Sequence, residues 1–252
     1  MSRLKGRNKY KMNSVMRKNR QLQPYLPHTV KWSKTNFYNM LRIHKSIVIK
    51  PNNGKKGQDI YFIKSKRGKY LVYINKKRKV FKSRLTAYKF IRKATRKRRF
   101  IIQPEVNLTR IGNKRVDFRV IVQRKTVKSP WVVTGVIARK AGKGYKVTNR
   151  HRNGTVLPIQ RAMKRMNLDK NAIKVKVKKI KRISLLAAKT LGPYFARQRI
   201  FAVDIGMDKN GSVYIFELNR WPGLRGFYSL RNKSQIRRIR AYLASEKGEN
   251  SK

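Results

Sequence analysis

Asp204, Glu217 and Asn219 carry the oxygen donors whose spacing most suggests chemistry. FAVDIGMD and SVYIFELN read as two strands, joined by the turn Lys209-Asn210-Gly211. Asn-Gly between alternating apolar residues is a strong hairpin signal. Residues two apart on a strand share a face, so Glu217 and Asn219 project together, and a hairpin could set Asp204 beside them. The set is hard oxygen without histidine or cysteine, which suits magnesium carrying a nucleotide phosphate. The same spacing also suits residues that neutralise a basic neighbourhood or shape a turn. Asp208, in DKNG, reads as a turn former.

Each carboxylate is informative because so few exist. The 252 residues include 68 Lys and Arg against nine Asp and Glu, a formal net charge of +59. A surface so one-sided repels itself and calls for counter-ions or a polyanionic partner such as nucleic acid, an acidic polypeptide or an anionic polysaccharide. A 40% apolar and 10% aromatic content fits a folded chain rather than a disordered polycation. The absence of cysteine excludes disulfides and thiolate metal or redox sites. His28, His44 and His151 are scattered, against a zinc site. MSRLKGRNKYKM lacks the apolar stretch of a secretory signal and no run approaches a membrane span, so the expectation is a cytoplasmic protein with no membrane partner.

The elements that must position these residues follow from pattern. Residues 1–45 read as basic helical arms around QPYLPHT, where Pro24 and Pro27 interrupt any continuous helix. KSIVIKP is a short strand, NNGKKGQ a polar loop, and DIYFIKSKRGKYLVYIN a hairpin turning at Arg67-Gly68. Residues 82–98 form a basic amphipathic helix through Leu85, Tyr88 and Ile91. RFIIQPEV, VDFRVIVQRK and PWVVTGVIARK are strand candidates. Residues 169–190 form a long helix with Ile173, Val177, Ile180 and Leu186 inward, and a short basic helix and a fraying tail close the chain. Adjoining apolar runs without βαβ alternation predict an α+β protein with mostly antiparallel sheets.

In this order the segments resemble the ATP-grasp ligases, such as D-alanine–D-alanine ligase and glutathione synthetase. Within that superfamily they are most similar to the YheC/YheD group of endospore coat-associated proteins. The likeness rests on QPYLPHT, VDFRVIVQR, WVVTGVIARKAG, KVTN and VDIGMDKNGSVYIFELNRWPG, spread over residues 9–225. It implies an ATP-grasp fold of two α+β lobes around a nucleotide cleft, with ATP and Mg2+ as cofactors. The small lobe would span 45–105 and the large lobe, with the metal site, 106–225. Residues 1–44 would be a basic arm left from a largely absent N-terminal domain, and 226–252 a basic helix and tail.

Residue by residue, the resemblance makes Asp204, Glu217 and Asn219 the magnesium ligands. Lys50, in IVIKP, would bind ATP phosphates, as would Gly54 and Gly57 in the glycine-rich loop. Gln103, Pro104, Glu105 and Val106 would form the adenine hinge. Arg119 and Arg139 would face phosphates or an acyl-phosphate, and Asn149 the substrate. Lys50 and Arg139 would be the catalytic pair. From residue type alone, Lys50 is equally one surface lysine among many, and Arg119 equally a structural partner of Asp117. Lys9 or Lys11 could match a further family lysine. The loop departs from the family's Gly-Ser-x-Gly-x-Gly: Gly54-Lys55-Lys56-Gly57-Gln58-Asp59 lacks the serine and the last glycine, and Asp59 adds repulsion toward phosphate.

The implied reaction is ADP-forming ligation of an unknown carboxylate, acidic or polymeric, to an amine or similar nucleophile. The rival reading is a polyanion- or nucleic-acid-binding protein. KKRK (76–79), RKATRKRR (92–99) and KVKVKKIKR (174–182) would hold phosphates, and Tyr61, Phe62, Tyr70, Tyr73 and Phe81 would stack on bases. A third is a degenerate ATP-grasp scaffold retained as a structural, spore-associated component.

Overall fold

The computed structural model describes residues 3–4, 6–54, 57–148 and 153–245. Two antiparallel sheets organise them. The first uses β1 (Val30–Lys31), β2 (Ser46–Pro51), β3 (Tyr61–Lys66), β4 (Lys69–Ile74), β5 (Lys77–Phe81) and β6 (Phe100–Pro104), in the order β1-β6-β2-β3-β4-β5. The β3–β4 hairpin turns where expected, with Arg67 and Gly68 both at positive φ, as a two-residue type I′ turn requires. Helices α2 (Lys34–His44) and α3 (Arg84–Thr95) cover one face, burying Phe37, Met40, Ile49, Ile63 and Ile91. Ser33 and Ser83 cap them through Asn36 N–H and Thr86 N–H.

The basic run 76–79 was not expected to be a strand. Most of it lies in β5, the sheet edge, four of whose five residues are exposed. Pairing with β4 supplies its backbone hydrogen bonds, and its cations keep the open edge from pairing further. The short strand β1 was likewise missed, because two residues carry no periodicity.

The second sheet uses β7 (Arg110–Ile111), β8 (Lys114–Gln123), β9 (Val132–Lys140), β10 (Thr155–Pro158), β11 (Ile200–Met207) and β12 (Val213–Asn219). Its order is β10-β9-β8-β11-β12, with β7 paired to β8. One face packs on α1 (Lys9–Arg17), α4 (Ile159–Lys164) and α5 (Lys170–Leu191). Val116, Phe118, Val120 and Val122 of β8 meet Val177, Ile180, Ile183 and Ala187 of α5 in that core. Asp169 caps α5 through Ala172 N–H. The opposite face is divided. At one end α6 (Arg225–Tyr228) and α7 (Ser234–Ala244) bury Ile121, Ile137 and Ala202 under Phe227 and Ile239. At the other end the same face carries Asp117, Arg119, Arg139 and Asp204, and stays open.

Residues 1–44 thus divide between the two cores: Met12 and Met16 of α1 belong to the second, Phe37 and Met40 of α2 to the first. The expected fraying tail lies outside the described residues.

Two local features shape the open end. Asp204 pairs with Glu217 and Ile205 with Ile215, so Phe216 is an extra, bulged residue on β12. Gly206, on β11, leaves room for it: a Cβ there would sit 2.3 Å from the Phe216 ring and 2.6 Å from Leu108 Cδ2. Overpacking of this kind costs about 1–3 kcal/mol. Gly206→Ala is therefore expected to lower the unfolding free energy by about that amount in a denaturant titration.

Candidate functional site

A cavity of about 440 Å³ lies between the two sheets. Four of the nine carboxylates, Glu105, Asp117, Asp204 and Glu217, line it, in a chain that could have spent them on its surface. Lys50, Gly54, Gly57, Gln103, Pro104, Val106, Arg119, Arg139 and Asn219 line it too. The structure therefore gathers every candidate residue except Asn149, which lies outside the described residues. Val48, Ile60, Phe62, Leu108 and Phe216 add apolar walls.

Strand register builds the charged wall. Asp117 of β8 lies opposite Arg139 of β9, Arg119 of β8 opposite Asp204 of β11, and Asp204 opposite Glu217 of β12. Arg139 binds Asp117 through two hydrogen bonds of 2.7 Å and reaches Asp204 Oδ2 at 3.1 Å. Arg119 grips Asp204 through bonds of 2.8 and 2.9 Å. The structural alternative for Arg119 is therefore corrected: its partner is Asp204, and Asp117 is taken by Arg139 and the Thr148 hydroxyl. Direct cross-strand neighbours meet, whereas residues two apart along β8 stand side by side.

These contacts set the charge states. Burial pushes Asp204 upward, but Arg119 and Arg139 outweigh it and hold the carboxyl down at about 2. Burial likewise raises Glu217, and the cations Lys9 and Lys50 bring it net below the usual range. Asp117 is raised, because burial there outweighs Arg139. Asn219 Nδ2 donates to Glu217 Oε1 at 2.9 Å, keeping the amide against the carboxylate. Two ionised carboxylates on facing strands, with an amide beside them, form a hard-oxygen donor set of the kind magnesium takes. Among the described residues there is no cluster of three or more His, Cys, Asp or Glu able to cage a metal. A cation here would thus need phosphate and water oxygens to complete its shell.

Lys50 projects from β2 across the cleft, only 9% exposed, and its Nζ donates to the Phe216 carbonyl at 3.1 Å. Burial is the main force lowering its pKa to about 8; Glu217 and Asp204 oppose the shift and Lys9 adds to it. The bulge at Phe216 turns that carbonyl toward Lys50. No sequence signal marks the contact.

Along residues 103–106, the expected hinge, the Gln103 side chain donates to Thr29 and the Glu105 N–H donates to the Ser46 carbonyl. The Glu105 side chain does more than expected. It accepts from Arg115 at 2.6 Å, from Lys146 at 3.0 Å and from Ser46. Burial would raise its pKa, but those partners pull it below the usual value. Lys146 lies over the Phe62 and Tyr73 rings and lines the cleft. Sequence reasoning missed Lys146, Arg115 and Thr148 as site residues. The motif KVTN, already singled out, contained two of them.

Lys9, the looser candidate, sits at the start of α1, where Asn8 caps the helix. Its Nζ donates to Gly54 O at 2.8 Å and lies 3.6 Å from Glu217 Oε2. The loop's missing glycine is also accounted for. Asp59 holds φ +53°, the left-handed conformation glycine adopts freely, and its carboxylate pairs with Arg98. The repulsion expected from Asp59 is thereby met by a cation of the protein itself.

Solved structures share this architecture. The D-alanine–D-alanine ligase from Bacillus anthracis, complexed with ATP, aligns with a TM-score of 0.55 and 12% identity over 96% of this chain and 67% of that one. An L-amino acid ligase from Bacillus licheniformis aligns with a TM-score of 0.55 and 13% identity over 94% of this chain and 48% of that one. The fold is the ATP-grasp fold, α+β with two antiparallel sheets facing a cleft. Residues 3–245 match the family described as YheC/D like ATP-grasp, and the chain belongs to that family. A curated relative, the endospore coat-associated protein YheD of Bacillus subtilis (strain 168), is 29% identical over 239 residues. The match covers 91% of this chain and 51% of the relative, so the chain spans about half the length of that protein.

The lowered pKa of Lys50 has a checkable sign. A lysine held at about 8 when folded and near 10.5 when unfolded releases its proton first in the folded state. Its burial penalty is full below pH 8 and fades as pH rises from 8 toward 10.5. Without nucleotide, Lys50→Met should show its largest stability advantage over wild type below pH 8. The advantage should shrink across that window, read by denaturant unfolding at successive pH values.

Proposed function

We propose that the chain binds Mg2+-ATP in this cleft and acts as an ADP-forming ligase, joining a carboxylate to an amine or similar nucleophile. The observation that carries the reading is the meeting of Lys50, Arg119 and Arg139 with the facing carboxylates Asp204 and Glu217 in one cavity. In this reading residues 45–105 supply the lobe that covers the nucleotide, and 106–225 the lobe that holds the metal end. The apolar walls at Val48, Ile60, Phe62 and Leu108 take the adenine ring, and residues 103–106 offer their backbone to its edge. Gly54 and Gly57 let the loop backbone approach the phosphates.

Asp204, Glu217 and Asn219 would hold magnesium, which when bound neutralises phosphate charge. Lys50 Nζ, already aimed at the metal end, donates to a phosphate oxygen, and contact with the anion raises its pKa back from about 8. Arg139, its fork fixed by Asp117, presents fixed positive charge where an acyl-phosphate oxygen develops. Asn149 would contact the substrate. The carboxylate oxygen bonds to the γ-phosphorus as its bond to the β–γ bridging oxygen breaks and ADP leaves. The amine nitrogen then bonds to the acyl carbon as phosphate departs, and the amine gives up a proton. Positioning and charge supply the catalysis, so no protein nucleophile is required. The coat association in the relative's name supports a spore-associated setting for this chain. Among the described residues no helix is long and apolar enough to cross a membrane.

A thermal-shift titration with Mg-ATP tests the site. Ligand at about 100 times its Kd stabilises the fold by ~2.7 kcal/mol. Glu217→Gln is expected to abolish the magnesium-dependent part of the shift and ADP formation. Lys50→Ala should weaken the shift while leaving its magnesium dependence. ADP release that survives Glu217→Gln would remove Glu217 from the metal site.

A further inference from the structure

A second cavity, of about 670 Å³, adjoins the metal end of the cleft, and Trp221 and Pro222 line both. Its walls are basic and apolar, with Arg3, Arg197 and Arg220 set among Leu4, Phe195 and Ile200. No carboxylate among the described residues lines it. Arg220 lies over the Phe195 and Trp221 rings, 4.1 and 4.3 Å from their centroids. Its Nε donates to Gln198 and its Nη1 to the Gly6 carbonyl, neutral partners that orient the fork and leave its charge uncancelled. Arg7 stands 5.6 Å from the centroid of the same Trp221 ring and also lines the cleft. Trp221 is 56% exposed, a large aromatic ring with two guanidiniums near it at the junction of the cavities.

We propose that this second cavity seats a segment of acidic polypeptide, and that the Arg7–Trp221–Arg220 rim passes one of its carboxylates to the metal end of the cleft. The proposal rests on the ligase reading above, which demands a substrate carboxylate within reach of Arg139 and the metal end. Guanidinium forks match planar carboxylates through paired hydrogen bonds, and ordered arginines stacked on aromatic rings lose little freedom in making them. The wall free of carboxylates offers an acidic chain no repulsion. A nucleic acid would meet the same cations but brings no carboxylate to the cleft.

The test uses the full chain at near-physiological salt, with a labelled oligoglutamate peptide and an oligothymidylate of matched charge. Trp221→Ala and Arg220→Lys both preserve the net charge, so general attraction to the cationic surface is unchanged. Each is expected to weaken oligoglutamate binding about tenfold, the size of a lost desolvated cation–π or bidentate contact, and to leave oligothymidylate binding unaltered. Trp221 is exposed, so its variant should melt with the wild type even if Arg220→Lys loosens the fold. Wild-type affinity for the peptide in Trp221→Ala overturns the proposal. So does an equal loss for oligothymidylate, which would assign the cavity to nucleic acid. The wild-type Mg-ATP thermal shift, measured in parallel, separates the two readings. A shift without Trp221-dependent peptide binding fails the second cavity alone, and Trp221-dependent peptide binding without a shift fails the nucleotide reading alone.

Discussion

The paired contacts Arg139–Asp117 and Arg119–Asp204, joined where Arg139 also meets Asp204, hold the middle of the second sheet, and the cleft depends on them. An ion withdrawn from water costs several kcal/mol unless geometry returns it. Here two arginine forks meet two carboxylates on neighbouring strands, bidentate in each pair, and the shared contact makes one network of four charges. A slip of one residue between β8 and β11 would turn Arg119 into the α5 core and Asp204 away from it. The apolar alternation of Val116, Phe118, Val120 and Val122 on the other face resists that slip. Core packing on one face thereby fixes electrostatics on the other.

The division of that second face explains where the cleft can be. Helices α6 and α7 cover the end where Ile121, Ile137 and Ala202 lie, and among the described residues no helix covers the charged end. What stands opposite is the first sheet, contributing Lys50 and the hinge. Charged side chains tie the two lobes across the gap: Lys50 to the Phe216 carbonyl, Lys9 to Gly54 and Glu217, and Glu105 to Arg115 and Lys146. Each joins one lobe to the other, and each uses a cation that a phosphate of the proposed nucleotide would also attract. The cleft is thus held by the same charges a nucleotide would engage.

Charge also explains how the chain tolerates its departures from family pattern. Asp59 stands at a backbone position suited to glycine, and Arg98 takes its carboxylate. The basic run in β5 serves as a guarded sheet edge.

Much of this was legible in the amino-acid sequence, because several signals are local. Alternation in FAVDIGMD and SVYIFELN and the Asn-Gly turn act over a few residues, so the hairpin could be read directly, although the bulge that puts Glu217 rather than Phe216 opposite Asp204 could not. The scarcity of acids made Asp204 and Glu217 conspicuous, and the ordered motifs carried the ATP-grasp likeness across most of the chain. Partner choice was not legible. Whether Arg119 meets Asp117 or Asp204 depends on which strand lies beside β8, and β11 is some eighty residues away in sequence. The bulge at Phe216, the part Glu105 plays with Lys146, and the way Lys9 joins the loop to Glu217 are likewise products of packing. Periodicity assigns a residue to a face of its own strand, but only the assembled sheets decide what that face meets, because opposite charges pair through space rather than along the chain.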